Sequence, residues 1–151
     1  MRRTALTLLA LTSLPCFAAI PGGGPGHTAL PTVTVGLRKA VAEEGASGAA
    51  GLGAFVLHRT GNTTSALTVS VAAGGTATPD ADYEALKPTY TIPAGQDRIT
   101  VVVKTYGDHE EEGEETVTLT VLPETGYVPG TPDARTVTIT EPGTSFDPTK
   151  S

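Results

Sequence analysis

Residues 98–121 read RITVVVKTYGDHEEEGEETVTLTV. Every second residue is apolar from 99 to 103 and again from 117 to 121. This alternation predicts two strands that each bury one face. Six acidic residues lie between them, within residues 108–115. The stretch therefore predicts two strands joined by a strongly acidic loop.

The same alternation recurs along the rest of the chain. Val and Thr dominate these runs, and both suit a pleated, half-buried surface. The further predicted strands lie around residues 33–37, 55–57, 67–71, 89–92 and 137–139. The 18 glycines and 12 prolines indicate many turns. Residues 38–45 are predicted to form a bulged strand and loop, not a helix. The fold class is therefore all-β, an antiparallel sandwich of about seven strands.

The composition limits both the core and the partners. With Trp 0, Phe 3 and Tyr 4, the core must be built from Val, Leu, Ile and Ala. The net charge is −6, and the basic residues are scattered, whereas the acidic ones cluster. Nucleic-acid binding is excluded, because phosphate contacts need clustered Lys and Arg. The charge pattern favours a cation as partner.

The first nineteen residues are typical of a secretory signal peptide. Arg2 and Arg3 precede the short apolar run 5–14, and small residues follow it before a cut after Ala18 or Ala19. The run is too short to span a bilayer comfortably. We therefore predict export to the periplasm or the medium, with cell-surface association as a further expectation and no transmembrane segment in the mature chain.

Four segments follow from this assignment. They are a signal peptide at 1–19, a flexible linker at 20–30, one domain at 31–141 and a polar tail at 142–151. Cys16 is the only cysteine and falls in the signal, so the mature chain has no disulfide. A lipoprotein would carry its lipid on Cys16, but the proline before it disfavours this alternative.

Acidic residues recur in four places that a sandwich could bring together. They are Glu43-Glu44, Asp80-Ala81-Asp82, the run Asp108 to Glu115, and Glu141. Alternate loops of a sandwich gather at one end, and calcium prefers six to eight oxygen ligands. A solvated loop would explain the same charges. An EF-hand does not fit, because its twelfth position would fall on Leu119 instead of an acid.

The order of these pieces resembles the Calx-beta family, a module named from sodium–calcium exchangers and common in bacterial exported proteins. The resemblance extends over residues 31–141 and rests on an ordered set of short motifs. These are Glu43-Glu44-Gly45, GAFVLHRTG at 53–61, Leu67-Thr68-Val69, Gly75-Thr76-Ala77, Asp82-Tyr83, IPAGQ at 92–96, GDHEEEGEETVTL at 107–119, Gly126-Tyr127 and VTIT at 137–140. It implies an immunoglobulin-like antiparallel β-sandwich with calcium bound in the loops at one end.

The resemblance also implies the calcium ligands. Glu110 would contribute its backbone carbonyl, and Glu141 stands where the family often has an Asp. The side-chain ligands implied position by position are Glu43, Asp82, Asp108, Glu112, Glu115 and Glu141. The family often has two adjacent acids where this chain has Gly107-Asp108, so we expect fewer or weaker calcium sites; otherwise Gly107 is simply a turn residue.

Neighbouring residues receive structural interpretations. Glu44 and Glu111 are expected to face solvent, and Asp80 to form a turn. Tyr83 and Tyr127 are expected to pack in the core, with Tyr127 forming the corner hydrogen bond of such sandwiches.

Catalysis finds no support in the sequence. There is no metalloprotease His pair, nucleophile elbow or phosphate loop. The leading interpretation is an exported, non-catalytic calcium-binding module, and the resemblance implies a role in cell-surface interaction, adhesion or cell communication. The alternative is a metal-indifferent sandwich that contacts proteins through an exposed edge strand. Carbohydrate binding is disfavoured by the absence of Trp.

Overall fold

A computed structural model describes residues 29–107 and 113–142. The predicted signal peptide, nearly all of the predicted linker and the tail beyond residue 142 lie outside these ranges, as do Asp108, Glu110, Glu111 and Glu112. The strands in the described ranges are β1 (Thr32–Lys39), β2 (Val41–Glu43), β3 (Leu52–Arg59), β4 (Leu67–Gly75), β5 (Thr89–Ile92), β6 (Arg98–Lys104), β7 (Glu115–Val121), β8 (Val128–Pro129) and β9 (Ala134–Thr140). None of the described residues forms a helix long and apolar enough to cross a membrane.

The strands form two facing sheets, which confirms the predicted all-β sandwich. The first sheet has the order β6-β3-β1-β8, and the second has the order β2-β9-β7-β4-β5. Most neighbours are antiparallel, but β1 with β8 and β2 with β9 are short parallel pairs. The predicted bulge after β1 is present as a register shift between Leu37 and Lys39. There the chain leaves the first sheet, and β2 continues on the edge of the second.

The core lies between the sheets and is built from the alternating residues. Burying one Val, Leu or Ile side chain is worth about 1.5–3 kcal/mol, so these rows supply most of the stability. The fully buried strand residues include Val33, Val35, Phe55, Leu57, Val69, Ile92, Val101, Val103, Val117, Leu119 and Val137. Leu37 continues the pattern in sequence but is 40% exposed, because the bulge ends the regular register at that point.

Tyr127 forms the predicted corner hydrogen bond. Its hydroxyl donates to the carbonyl of Leu122 at 2.6 Å and accepts from the Ser70 amide at 2.9 Å. The side chain is only 2% exposed, and this burial is the main cause that raises its pKa. Tyr127 thus ties the segment after β7 to β4.

Arg59 closes the end of the sandwich at which β3 finishes. It is 2% exposed, and its guanidinium donates to four main-chain carbonyls, those of Ser65 at 2.8 Å, of Thr63 and Gln96 at 3.0 Å and of Pro93 at 3.5 Å. The planar, permanently charged fork suits such divergent acceptors. A buried side-chain cation therefore joins the loops at this end.

Candidate metal centre

Several acidic segments meet at the opposite end of the sandwich, and main-chain hydrogen bonds join them. The Glu44 amide donates to the carbonyl of Thr140 at 2.8 Å, and the Gly45 amide donates to that of Tyr106 at 3.3 Å. The Tyr106 amide in turn donates to the carbonyl of Asp82 at 2.8 Å. The ends of β2, β6 and β9 and the turn around Asp82 thus form one connected group.

Glu43 ends β2 on a main chain that is held from both sides. Its amide donates to Ala50 at 3.0 Å, and its carbonyl accepts from the Thr105 hydroxyl at 3.0 Å. It lies beside Thr140 in the parallel ladder with β9. The residue is half-buried, and its side chain extends from a main chain that these hydrogen bonds hold in place.

Asp82 is a buried carboxylate with an orienting hydrogen bond. It is 7% exposed, and its Oδ2 accepts from the Thr78 amide at 2.5 Å. Its Oδ1 accepts no hydrogen bond from the described residues. One oxygen of this carboxylate is thus oriented by a hydrogen bond, and the other could coordinate a hard cation.

Asp80 supports the same turn, as the sequence indicated. It adopts a positive φ of 67°, and its Oδ1 accepts from the Ala85 amide at 3.2 Å. Asn and Asp tolerate this left-handed conformation better than most residues. Asp80 therefore shapes the turn that carries Asp82.

Tyr83 packs in the core behind this turn, as expected. It is 1% exposed, and its pKa is raised first by burial and then by the charges of Asp80 and Asp82. Its role is to anchor the acidic turn to the core.

The expectation for Glu44 was wrong. The sequence indicated a solvent-facing side chain, but Glu44 is only 7% exposed and interacts with another group. The cause is local, because the chain turns at Gly45, which has a φ of 61°, directly after Glu44 binds β9 through its amide. Sequence reasoning therefore missed one buried carboxylate at this end.

Glu115 and Glu141 lie on neighbouring strands at the same end. Glu115 begins β7 opposite Ile139 of β9, and Glu141 follows the last residue of β9. Both are half-buried, and each interacts with another group. Their register places them diagonally across the ladder, within reach of one shared region.

Asp108, Glu110 and Glu112 lie outside the described residues, but both flanks of their segment are described. Gly107 follows Tyr106 in the connected group, and Gly113 lies two residues before β7. Within residues 29–107 and 113–142, no three His, Cys, Asp or Glu side chains are grouped closely enough to hold a metal ion.

Gly107 has a steric reason for lacking a side chain. A Cβ atom there would lie 2.4 Å from the Cα and 3.0 Å from the amide nitrogen of Gly45. The obstacle is main chain, which cannot swing aside as a flexible side chain can. The acid that the resemblance leads one to expect at this position would therefore force two backbone segments apart.

These features define the protein as an all-β sandwich with acidic segments gathered at one end. Among solved structures it is similar to the apo form of the Calx CBD1 domain, with a TM-score of 0.59 and 17% identity over 75% of this chain and 98% of that chain. For CBD12 from CALX1.2 the TM-score is 0.57 and the identity 18%, over 73% of this chain and 45% of that chain. It is also similar to the Calx CBD2 domain, with a TM-score of 0.55 and 12% identity over 75% of this chain and 88% of that chain.

The resemblance predicted from the sequence is therefore confirmed at the level of the fold. No family model matches the sequence. No curated protein matches it either.

Proposed function

We propose that this protein is a non-catalytic calcium-binding module that acts outside the cytoplasm. The observation that carries the proposal is the connected group at one end of the sandwich. It brings Glu43 and Asp82 to the same end as the strand termini that bear Glu115 and Glu141. A structure with the same fold, CBD12 of CALX1.1, is described as a calcium binding domain, at 18% identity and a TM-score of 0.56.

The described donors fit a hard cation. All are oxygens, and Asp82 has one oriented carboxylate oxygen and one with no hydrogen bond from the described residues. Asp108, Glu112 and the carbonyl of Glu110 would complete the set. Calcium would supply positive charge among carboxylates that otherwise repel one another.

Calcium binding would stabilise the folded state. A cation that binds only the folded chain adds about 2.7 kcal/mol when its free concentration is about one hundred times its dissociation constant. It would also fix the surface that this end of the sandwich presents to a partner. We propose that such a partner is a protein at the cell surface, in adhesion or cell communication.

Thermal unfolding of the mature protein tests the calcium site. We expect millimolar calcium, but not magnesium, to raise the melting temperature above its value in chelator. The double variant Asp108→Asn, Glu115→Gln should lose this rise. The control Asp133→Asn, Glu124→Gln removes the same charge at the other end of the sandwich and should keep it. An equal response to both cations, or no response, would contradict the proposal.

A second candidate is a metal-indifferent contact module. The observation that favours it is the absence of a complete ligand group among the described residues. It predicts the same melting temperature in chelator and in calcium, so one experiment separates the two functions.

Export remains a separate part of the proposal and rests on the predicted signal peptide. Expression in a bacterial host with an active secretion pathway should yield a periplasmic or medium form that starts at residue 19 or 20. Amino-terminal sequencing checks this, and an unprocessed cytoplasmic product would contradict it.

A further inference from the structure

We propose that the free edge of β6 and the adjoining outer face of the first sheet bind an extended acidic segment of a partner protein. The segment would add to the sheet as a strand beside β6. This surface shares no residue with the proposed calcium ligands. The inference therefore stands or falls independently of calcium binding.

The backbone of β6 is paired on one side only. β6 is the outermost strand of its sheet and forms an antiparallel ladder with β3. Just beyond its two ends, the Thr105 amide donates to Gly51 at 3.1 Å, and the carbonyl of Asp97 accepts from Arg59 at 2.7 Å. In an antiparallel ladder every second residue directs its amide and carbonyl to the same neighbour. The backbone amides and carbonyls of the odd-numbered residues of β6 therefore point toward β3.

Thr100 and Val102 consequently direct their backbone groups away from the sheet. No described residue pairs with the amide or carbonyl of either. The neighbouring even-numbered residue, Lys104, confirms the direction, since its carbonyl accepts from the Glu84 amide at 2.8 Å. Glu84 thus caps one end of the edge and leaves the stretch before it open for strand addition.

Val102 lines two shallow grooves on this surface. It is 48% exposed and lies opposite Ala54 in the ladder, on the face turned away from the core. One groove, of about 410 Å³, extends over the outer face of the first sheet to Arg38. The other, of about 270 Å³, lies beyond the edge and is lined by Leu86 and Tyr90. An added strand could thus place alternate side chains against apolar surface.

The charges around these grooves select an acidic partner. Arg38 and Lys39 line the first groove, and Lys87 and Lys104 line the second, whereas the whole chain carries −6. Among the described residues, Glu84 is the one carboxylate that lines either groove. Complementary charges steer association and choose between partners.

A second copy of this chain fits the edge less well. Antiparallel pairing of two β6 strands that matches Thr100 with Val102 also places Arg98 opposite Lys104 of the other copy. Like charges directly opposite each other destabilise a strand pair. Cationic residues on an edge strand are also a common means of preventing self-pairing.

The test uses two capped heptapeptides, EVTVTVE and KVTVTVK, in chelator. With the first peptide in millimolar excess, we expect amide exchange at Thr100 and Val102 to slow by about fivefold or more. The second peptide should have no effect. Unchanged exchange, or equal binding of the two peptides, would overturn the proposal.

Two variants separate the backbone contribution from the charge contribution. Val102→Pro removes an outward amide that the β3 ladder does not use, so the fold should persist while binding is lost. Arg38→Glu with Lys104→Glu keeps the backbone and should weaken binding of EVTVTVE about threefold or more. Protection of the β6 edge that grows with protein concentration and without peptide would instead identify a second copy as the occupant, and would refute the proposal.

Discussion

Replacing Arg59 with methionine should destabilise the protein substantially. The change keeps much of the apolar stem but removes the charged fork from the carbonyls of Ser65, Thr63 and Gln96, at 2.8, 3.0 and 3.0 Å. Hydrogen bonds to a charged group contribute about 1.5 kcal/mol or more each. Removing a buried cation recovers part of its desolvation cost. We therefore expect the free energy of unfolding to fall by about 2–4 kcal/mol.

Urea unfolding in chelator measures this change without interference from metal. A lower midpoint at unchanged slope would report a true loss of stability. The matched control is Arg98→Met, because the Arg98 side chain is 62% exposed and its hydrogen bonds, of 2.9 and 2.8 Å, go to Asp97 alone. Exposed ion pairs contribute about 0–1 kcal/mol. Equal stability of the two variants would refute the role assigned to Arg59.

Three further changes have defined outcomes. Gly107→Ala should lower the free energy of unfolding by about 1–3 kcal/mol in urea, because its Cβ would lie 2.4 Å from the Gly45 Cα. Tyr127→Phe should lower it by about 1–3 kcal/mol on thermal unfolding, since it loses a 2.6 Å hydrogen bond to a main-chain carbonyl. The hydrogen bond from Arg98 lowers the pKa of Asp97 from 3.8 to about 2, so the stabilisation from this carboxylate is complete above its unfolded pKa and is lost as the pH falls through about 2. Arg98→Gln should return that pKa toward 3.8 in a carboxyl NMR titration.

Each of these predictions has a control or a contrary result. Gly74→Ala adds a methyl group with nothing within 4 Å and should leave stability nearly unchanged. Equal effects of the two glycine substitutions would contradict the close approach at Gly107. Tyr106→Phe alters a tyrosine that is 36% exposed and should cost less than Tyr127→Phe. A wild-type titration midpoint near 3.8 would show that Asp97 is not held by Arg98.

The strands could be predicted because a period of two is local information. Rows such as Val117, Leu119 and Val121 specify both the strand and its buried face. Strands β2 and β8, of three and two residues, are too short to display such a period. Their parallel pairing depends on where distant segments lie, which no local pattern records.

The candidate site could be predicted in outline but not in detail. The gathering of acids at one end follows from the alternation of loops in a sandwich. The burial of Glu44 depends on a contact with Thr140, almost one hundred positions further along the chain. Arg59 was missed because its acceptors are main-chain carbonyls, and every residue carries one. One feature of the sequence could have identified Arg59. It is an arginine at the end of a predicted strand, with no acidic residue close to it in the sequence.

The contact between Gly45 and Gly107 restricts the order in which substitutions could be accepted. A codon change that introduces an acid at 107 adds a carboxylate near the proposed site, but it first forces two main-chain segments apart. No side-chain replacement at 45 can relieve this, because the obstructing atoms are the Cα and amide of Gly45 itself. A descendant with an acid at 107 would have to shift one of these two main-chain segments to gain the extra carboxylate. A gain of acidic charge at 107 therefore depends on the path of the main chain as well as on the substitution itself.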